Sequence, residues 1–206
     1  MAIPACSKHK QEKTAEELAE EGKTYFEKKD YKGAIESYEK LTDWYPFSTH
    51  AKEAELKIAD SHYHLDEYEQ AIAAYNEFSQ LHPRDPQIAY VLYQIGRCYY
   101  DQLEQPDRDQ TPALNAIDAF QNLTMQFPDS DYSKEVSAYI DECLKNLAEK
   151  EMYVGKFYFK SRHYKAARER FVSVIKNYPD FGLHQEARDY IDQCNTHMAE
   201  IIGSDS

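Results

Sequence analysis

The sequence predicts an all-α repeat protein: a solenoid of about nine helices, four and a half helix pairs. Three observations carry this. First, one template recurs four times, with a small residue followed by an alanine, an aromatic or apolar residue, a second apolar residue and a proline. Gly22, Ala34, Tyr38, Leu41 and Pro46 form the first copy, and Ala59, Ala71, Tyr75, Phe78 and Pro83 the second. Gly96, Ala116, Phe120, Leu123 and Pro128 form the third, and Gly155, Ala167, Phe171, Val174 and Pro179 the fourth. Second, the small residue precedes the proline by 24 residues in three copies and by 32 in the third, which therefore carries eight extra residues. Third, the 206 residues include only 6 Gly, and the 8 Pro fall mostly where apolar-periodic stretches end, as residues that cannot continue a helix should. A fixed period of this kind marks a solenoid, whose units bury their apolar faces against one another.

Taken in order, residues 1–13 are polar apart from Ile3-Pro4-Ala5-Cys6. That stretch resembles the end of a bacterial lipoprotein signal, where the cysteine becomes the lipidated first residue. Pro4 is unusual there, and the charged and hydrophobic parts of a signal peptide do not precede it. A lipidated Cys6 on a short tether is one reading, and a chance cysteine near the start is the other. Thr14, ahead of Ala15-Glu16-Glu17, is placed to cap the first helix. A turn at Lys29-Asp30-Tyr31 leads into the second helix, which Pro46 stops. The third helix is expected from about His50 to Leu65, the fourth from about Tyr68 to Leu81, and the fifth from about Gln87 to Gln102.

Residues 105–112, rich in Pro and Asp, hold the insertion and read as a surface loop, with Thr111 capping the sixth helix and Pro112 at its first position. From Ser133 to Arg162 there is no Pro and a single Gly. The small-residue site is matched twice in that span, at Asp141 and Gly155, so one long helix over about 133–161 is expected, roughly 45 Å at ~1.5 Å per residue. A break near Lys150 is the alternative. The eighth helix starts at His163-Tyr164, and the ninth runs from about His184 to Ile202. The domain reading is a tether over 1–13, a repeat domain over 14–202 with halves 14–128 and 129–202, and a disordered tail over 203–206. The helix–turn–helix template resembles the tetratricopeptide repeat.

A net charge of −13 argues against nucleic acid or an anionic lipid surface as the main partner. No apolar run of about 18 residues exists to span a membrane. Cys98, Cys143 and Cys194 form no Cys-x-x-Cys pair, and each sits two residues after a template small-residue site (Gly96, Asp141, Asp192), so they read as packed small side chains. His62 and His64, two apart on a helix, point to different faces. No catalytic, metal or cofactor site is expected. A binding surface is. First helices line the concave side of such solenoids, and their inward positions give Ala19, Lys23 and Phe26, then Leu56, Asp60 and Tyr63, then Tyr90, Tyr93, Arg97 and Tyr100. This is an aromatic groove with two cations, suited to a peptide ending in a carboxylate; packing of several of these tyrosines between units is the other reading. On the eighth helix the template turns Arg168, Glu169 and Arg170 outward.

Several features together resemble the BamD family, also called ComL, tetratricopeptide lipoproteins of the bacterial outer-membrane β-barrel assembly machinery. They are the turn Tyr45-Pro46-Phe47, the run Tyr90-Val91-Leu92-Tyr93-Gln94-Ile95-Gly96, the insertion ending Asp107-Arg108-Asp109 before Ala113, the long seventh helix and the turn Tyr178-Pro179-Asp180. The resemblance covers about residues 15 to 202. It implies lipidation at Cys6 and a place at the periplasmic face of the outer membrane, with the membrane reached only through that lipid. It implies a non-enzymatic scaffold that binds the periplasmic domains of BamA, other lipoproteins of the complex and unfolded outer-membrane β-barrel proteins. Arg170 falls where the family places a BamA-contacting arginine. The sequence stops after the ninth helix, which puts contacts of a tenth in doubt. Another periplasmic tetratricopeptide protein, such as a cell-division coordinator, is the alternative.

Overall fold

The computed structural model describes residues 13–204, with side chains through Ile201. Its contacts divide into two compact units, one ending at Arg84 and one beginning at Asp85. The first unit holds α1 (Ala15–Glu27), α2 (Tyr31–Trp44), α3 (Ala51–His64) and α4 (Tyr68–Leu81). The second holds α5 (Ile88–Tyr100), α6 (Thr111–Gln126), α7 (Asp131–Lys160), α8 (Tyr164–Asn177) and α9 (His184–Ser204). Among the described residues there is no strand.

The pairs are made by local chemistry repeated at the same template positions. Thr14 closes a capping box on α1: its side chain accepts from the Glu17 N–H at 3.2 Å, and Glu17 accepts from the Thr14 N–H at 2.8 Å. Lys29, Asp66 and Arg162, each seven residues after a small-residue site, have φ of 60°, 58° and 61°. At each, the left-handed residue and its successor donate back to the preceding helix: Lys29 to Phe26 and Asp30 to Tyr25, Asp66 to Tyr63 and Glu67 to His62, Arg162 to Phe159 and His163 to Tyr158. This is a Schellman motif used three times to fold a pair. The α5–α6 connection, where the eight-residue insertion sits, has no such left-handed residue.

The small-residue sites explain how closely the paired helices approach. A Cβ on Gly22 would lie 2.6 Å from the Tyr38 ring, one on Gly96 2.3 Å from Phe120, and one on Gly155 2.7 Å from Phe171. In the first unit Leu18, Ala34, Tyr38, Leu41, Ala51 and Ala54 form the core around α1–α3. In the second, one core joins α5, α6 and the first half of α7 around Phe120, Leu123, Val136 and Cys143. Another joins the end of α7 to α8 and α9 around Met152, Phe171, Val174 and Cys194. α9 turns Arg188, Asp189, Asp192, Asn195 and Glu200 to solvent, a polar outer face of the kind that ends a repeat stack.

α7 runs unbroken for 30 residues through Lys150, as the long-helix reading requires. Two expectations are corrected. Thr111 is not the cap of α6 but its first residue; Asp109 holds the start, accepting from the Thr111 N–H at 3.0 Å and its hydroxyl at 2.8 Å. Asp141 is exposed, whereas Gly155 is buried with the Phe171 ring 2.7 Å from where its Cβ would lie, so Gly155 acts as the small-residue site of α7.

Candidate protein-binding surfaces

In the first unit, Lys23 is exposed on α1 and Phe26 is half-buried at its end. Phe26 meets Tyr31 and His64 edge-on at 5.4 and 5.7 Å, His64 stacks on Tyr31 at 4.6 Å, and Lys57 Nζ lies 4.7 Å above the Phe26 ring. Tyr63 packs edge-on against His64 and Tyr68. Leu56 and Asp60 are not on this surface. Leu56 is buried, and Asp60, 4% exposed, accepts from the Tyr75 hydroxyl at 2.8 Å and from Lys57 Nζ at 2.9 Å. Tyr75, on α4, holds the template position that Tyr38 holds over Gly22, so its bond to Asp60 belongs to the pairing of α3 with α4. The Phe26–Tyr31–His64 cluster recurs 133 residues on, where Tyr164 stacks on His197 at 4.6 Å with Phe159 edge-on at 5.5 Å.

In the second unit, Tyr93 is buried against Tyr132 at 5.1 Å and Phe120 at 6.4 Å, so it is a core residue rather than an open contact. Arg97 is held in place. Its Nη2 spans both Asp101 oxygens at 3.2 Å, its Nη1 donates to the Tyr93 and Tyr139 hydroxyls at 3.3 and 3.2 Å, and its guanidinium lies 4.9 Å from the Tyr139 ring. Tyr90 is half-buried beside Tyr132. The Tyr100 hydroxyl donates to Glu142, and that bond, with burial, pushes its pKa up to about 12. Beside it a cavity of about 870 Å³ opens between α5, α7 and the insertion, lined by Tyr100, Asp101, Glu104, Arg108, Glu142 and Asn146. The insertion is strapped to α7, because Asn146 donates to the Glu104 carbonyl at 3.0 Å and Lys150 to the Arg108 carbonyl at 3.3 Å. The α7 residues Tyr132, Tyr139 and Glu142 could not be placed against α5 from the template, because the insertion shifts the register; their heptad spacing from Tyr132 to Tyr139 is the one available signal.

Arg170 is on the exposed side of α8, as the template places it, but it is paired. Its Nη1 donates to both carboxylate oxygens of Glu151 at 3.1 and 3.3 Å, with the Arg170 side chain 45% and the Glu151 side chain 17% exposed. Cys98, Cys143 and Cys194 are fully buried, and burial raises the Cys98 and Cys143 thiols to about 12, which makes them packing residues rather than nucleophiles. Cys6 lies outside the described residues. Among the described residues no His, Cys and carboxylate cluster could hold a metal, and no helix is long and apolar enough to cross a membrane.

A family model described as YfiO, outer membrane lipoprotein, matches residues 11–202. An outer membrane protein assembly factor BamD from Rickettsia prowazekii is 33% identical over 190 residues, covering 84% of this chain and 76% of that relative. The chain belongs to the BamD family. BamD of Neisseria gonorrhoeae is 30% identical over 86% of this chain and 70% of its own length, and BamD of Pasteurella multocida 28% over 90% and 76%. Among solved structures, the TPR2AB domain of yeast Sti1 in its pHSP90 complex superposes with a TM-score of 0.55 at 18% identity, over 89% of this chain and 70% of that one. That likeness bears on the fold alone. The BamD family and its tetratricopeptide fold are those of non-enzymatic scaffolds.

Proposed function

We propose that this chain is a lipid-anchored adaptor in the assembly of outer-membrane β-barrel proteins. It docks on the periplasmic domains of BamA through the α7–α8 edge at Arg170 and binds unfolded clients on the aromatic faces of its first helices. Membership of the BamD family carries the reading. The surfaces agree with it in chemistry. In the first unit the exposed Lys23 shares α1 with Phe26, over which Lys57 lies, and Tyr63 packs on His64; in the second, Arg97 lies 5.9 Å from the Tyr100 ring, with Tyr90 half-buried on the same helix. Leu56, Asp60 and Tyr93 support these faces from beneath. Rings supply contact area at low entropic cost, and the exposed Lys23 gives a terminal carboxylate a place to pair, whereas Arg97 would have to share its guanidinium with Asp101. Cys6 and the short polar stretch after it would supply the anchor and tether, with the other lipoproteins of the complex bound elsewhere on the same scaffold.

The test is a titration of a labelled peptide, carrying the last strand of a barrel protein with its aromatic C-terminal residue, against wild type, Phe26→Ala, Lys23→Glu and Arg97→Glu. Each substitution is expected to weaken binding by roughly tenfold, as truncation of an interface anchor does. Unchanged affinity in all three, with the helical content intact, would remove these faces from the mechanism.

A further inference from the structure

In α3, Ala51, Ala54, Ile58 and Ser61 share one face, and the first three of them pack on the core of the preceding pair, α1–α2. By the template the same face of α7 carries Leu147, Lys150, Val154 and Phe157. Cover runs out along it. Leu147 is buried in the α5–α6 core, Lys150 is tied to the insertion, Val154 is half-buried, and at Phe157, two turns beyond Lys150, the face is open. At the template position where Ser61 and Cys98 are fully buried, Phe157 is 61% exposed, and Tyr153, one turn before it, is 54% exposed. A groove of about 450 Å³ runs beside Tyr153, between Pro106 and Asp107 of the insertion, Lys156, and Leu183 ahead of α9. Folding asks for no ring at these sites, since Glu20 and Thr24 occupy them in α1.

The stretch of chain that carries this face is opposite in charge to the whole, although Asp107 and Glu149 line the groove and Lys156 is paired with Glu186 at 2.8 Å. Residues 145–176 hold nine Lys and Arg against three Glu, a net +6 within a chain of net −13. We infer that the open α7 face at Tyr153 and Phe157 docks an acidic amphipathic helix of a partner protein, lying where the second helix of a preceding pair would lie. Exposed rings give the apolar contact, and Lys160 and its basic neighbours meet the acids. An anionic membrane is the poorer occupant, because a broad charged surface also meets the −19 carried by the remaining residues, whereas a single helix senses charge only within about 8 Å at physiological salt. The face is distinct from the Arg170 edge: Glu151, the partner of Arg170, lies about 200° round α7 from Tyr153 at ~100° per residue.

The experiment uses the full chain and a fluorescent peptide of about 18 residues, long enough to form an amphipathic helix, with Leu along one face and Glu on the rest. Controls are the same peptide with Lys for Glu, and phosphatidylglycerol vesicles. Wild type is expected to bind the Glu peptide, less tightly as salt rises, and to ignore the Lys peptide. Tyr153→Ser with Phe157→Ser, and separately the exposed Lys160→Glu, are each expected to weaken binding by about tenfold or more, while Lys134→Ala, at an exposed lysine near the start of α7, leaves it unchanged. Serine is the residue of α3 at the Phe157 position, so the double variant should fold, and Lys160→Glu tests the same claim if it does not. Equal binding of the two peptides, wild-type binding by both variants, no peptide binding, or binding to vesicles alone would overturn the proposal.

Discussion

Gly96 lacks a side chain because the Phe120 ring fills the space a Cβ would take, 2.3 Å away. Gly96→Ala gains about 1 kcal/mol of helix propensity. Overpacking costs about 1–3 kcal/mol, and here the neighbour is a fully buried ring with nowhere to move. Denaturant unfolding of Gly96→Ala is therefore expected to show a net loss, and a gain would mean that the α5–α6 approach is looser than described. Asp60 makes a second case. Asp60 accepts from Tyr75 and Lys57, so Asp60→Ala removes charge-assisted hydrogen bonds inside the α3–α4 pairing and should cost about 1–3 kcal/mol of stability. A large fall in client affinity with stability unchanged would return Asp60 to the binding face. Asp60 and Leu56 illustrate what the template leaves unresolved. It fixes which way a first-helix position points, but not how far the neighbouring helix extends over it.

α7 is the element most fully legible in the sequence. A span from Ser133 to Arg162 free of proline, with apolar residues at helical spacing at both ends, admits one helix, and 30 residues are helical. Lys150 sits two thirds of the way along it, between the two cores of the second unit. Lys150→Pro removes a backbone bond and is expected to cost about 3 kcal/mol or more. Circular dichroism and thermal unfolding would show it, and a wild-type melting curve would mean that the helix is not continuous in solution. The sequence places the start of α6 one residue late, because Thr111 before Pro112 suits a cap and only the fold of the insertion brings Asp109 to the Thr111 N–H and hydroxyl. The Thr111 N–H beside Asp109 holds that carboxyl below its ordinary value of 3.8. A depressed carboxylate pKa means that the bond is present at neutral pH and lost as pH falls through the folded value, below 3.8. The Thr111 amide shift, followed by NMR, should titrate in that acidic window, and movement only above it would point to another group.

At the scale of the whole chain, the repeat explains why the fold was readable and the surfaces only partly so. Gly22 with Tyr38, Ala59 with Tyr75, and Gly155 with Phe171 lie 16 residues apart, so each pair is written in one short stretch. The surfaces depend on residues brought together from different helices: Tyr139 and Glu142 reach α5 from 42 residues away, and Glu151 reaches Arg170 from 19. Template positions cannot supply those pairings. Glu151 also reshapes the docking account, since Arg170 has an internal partner with which an incoming carboxylate must compete or share. Their pair, with Arg170 half-exposed, contributes at most about 1 kcal/mol to folding, so a larger effect on assembly must come from outside the chain. The most direct measurement is co-purification with BamA from the same organism for wild type, Arg170→Glu, and Arg170→Glu combined with Glu151→Arg. The account predicts that Arg170→Glu loses BamA and that the swapped pair, its internal bond restored, still fails to recover it. Recovery of BamA by the swap, or its retention by Arg170→Glu, would contradict docking through Arg170.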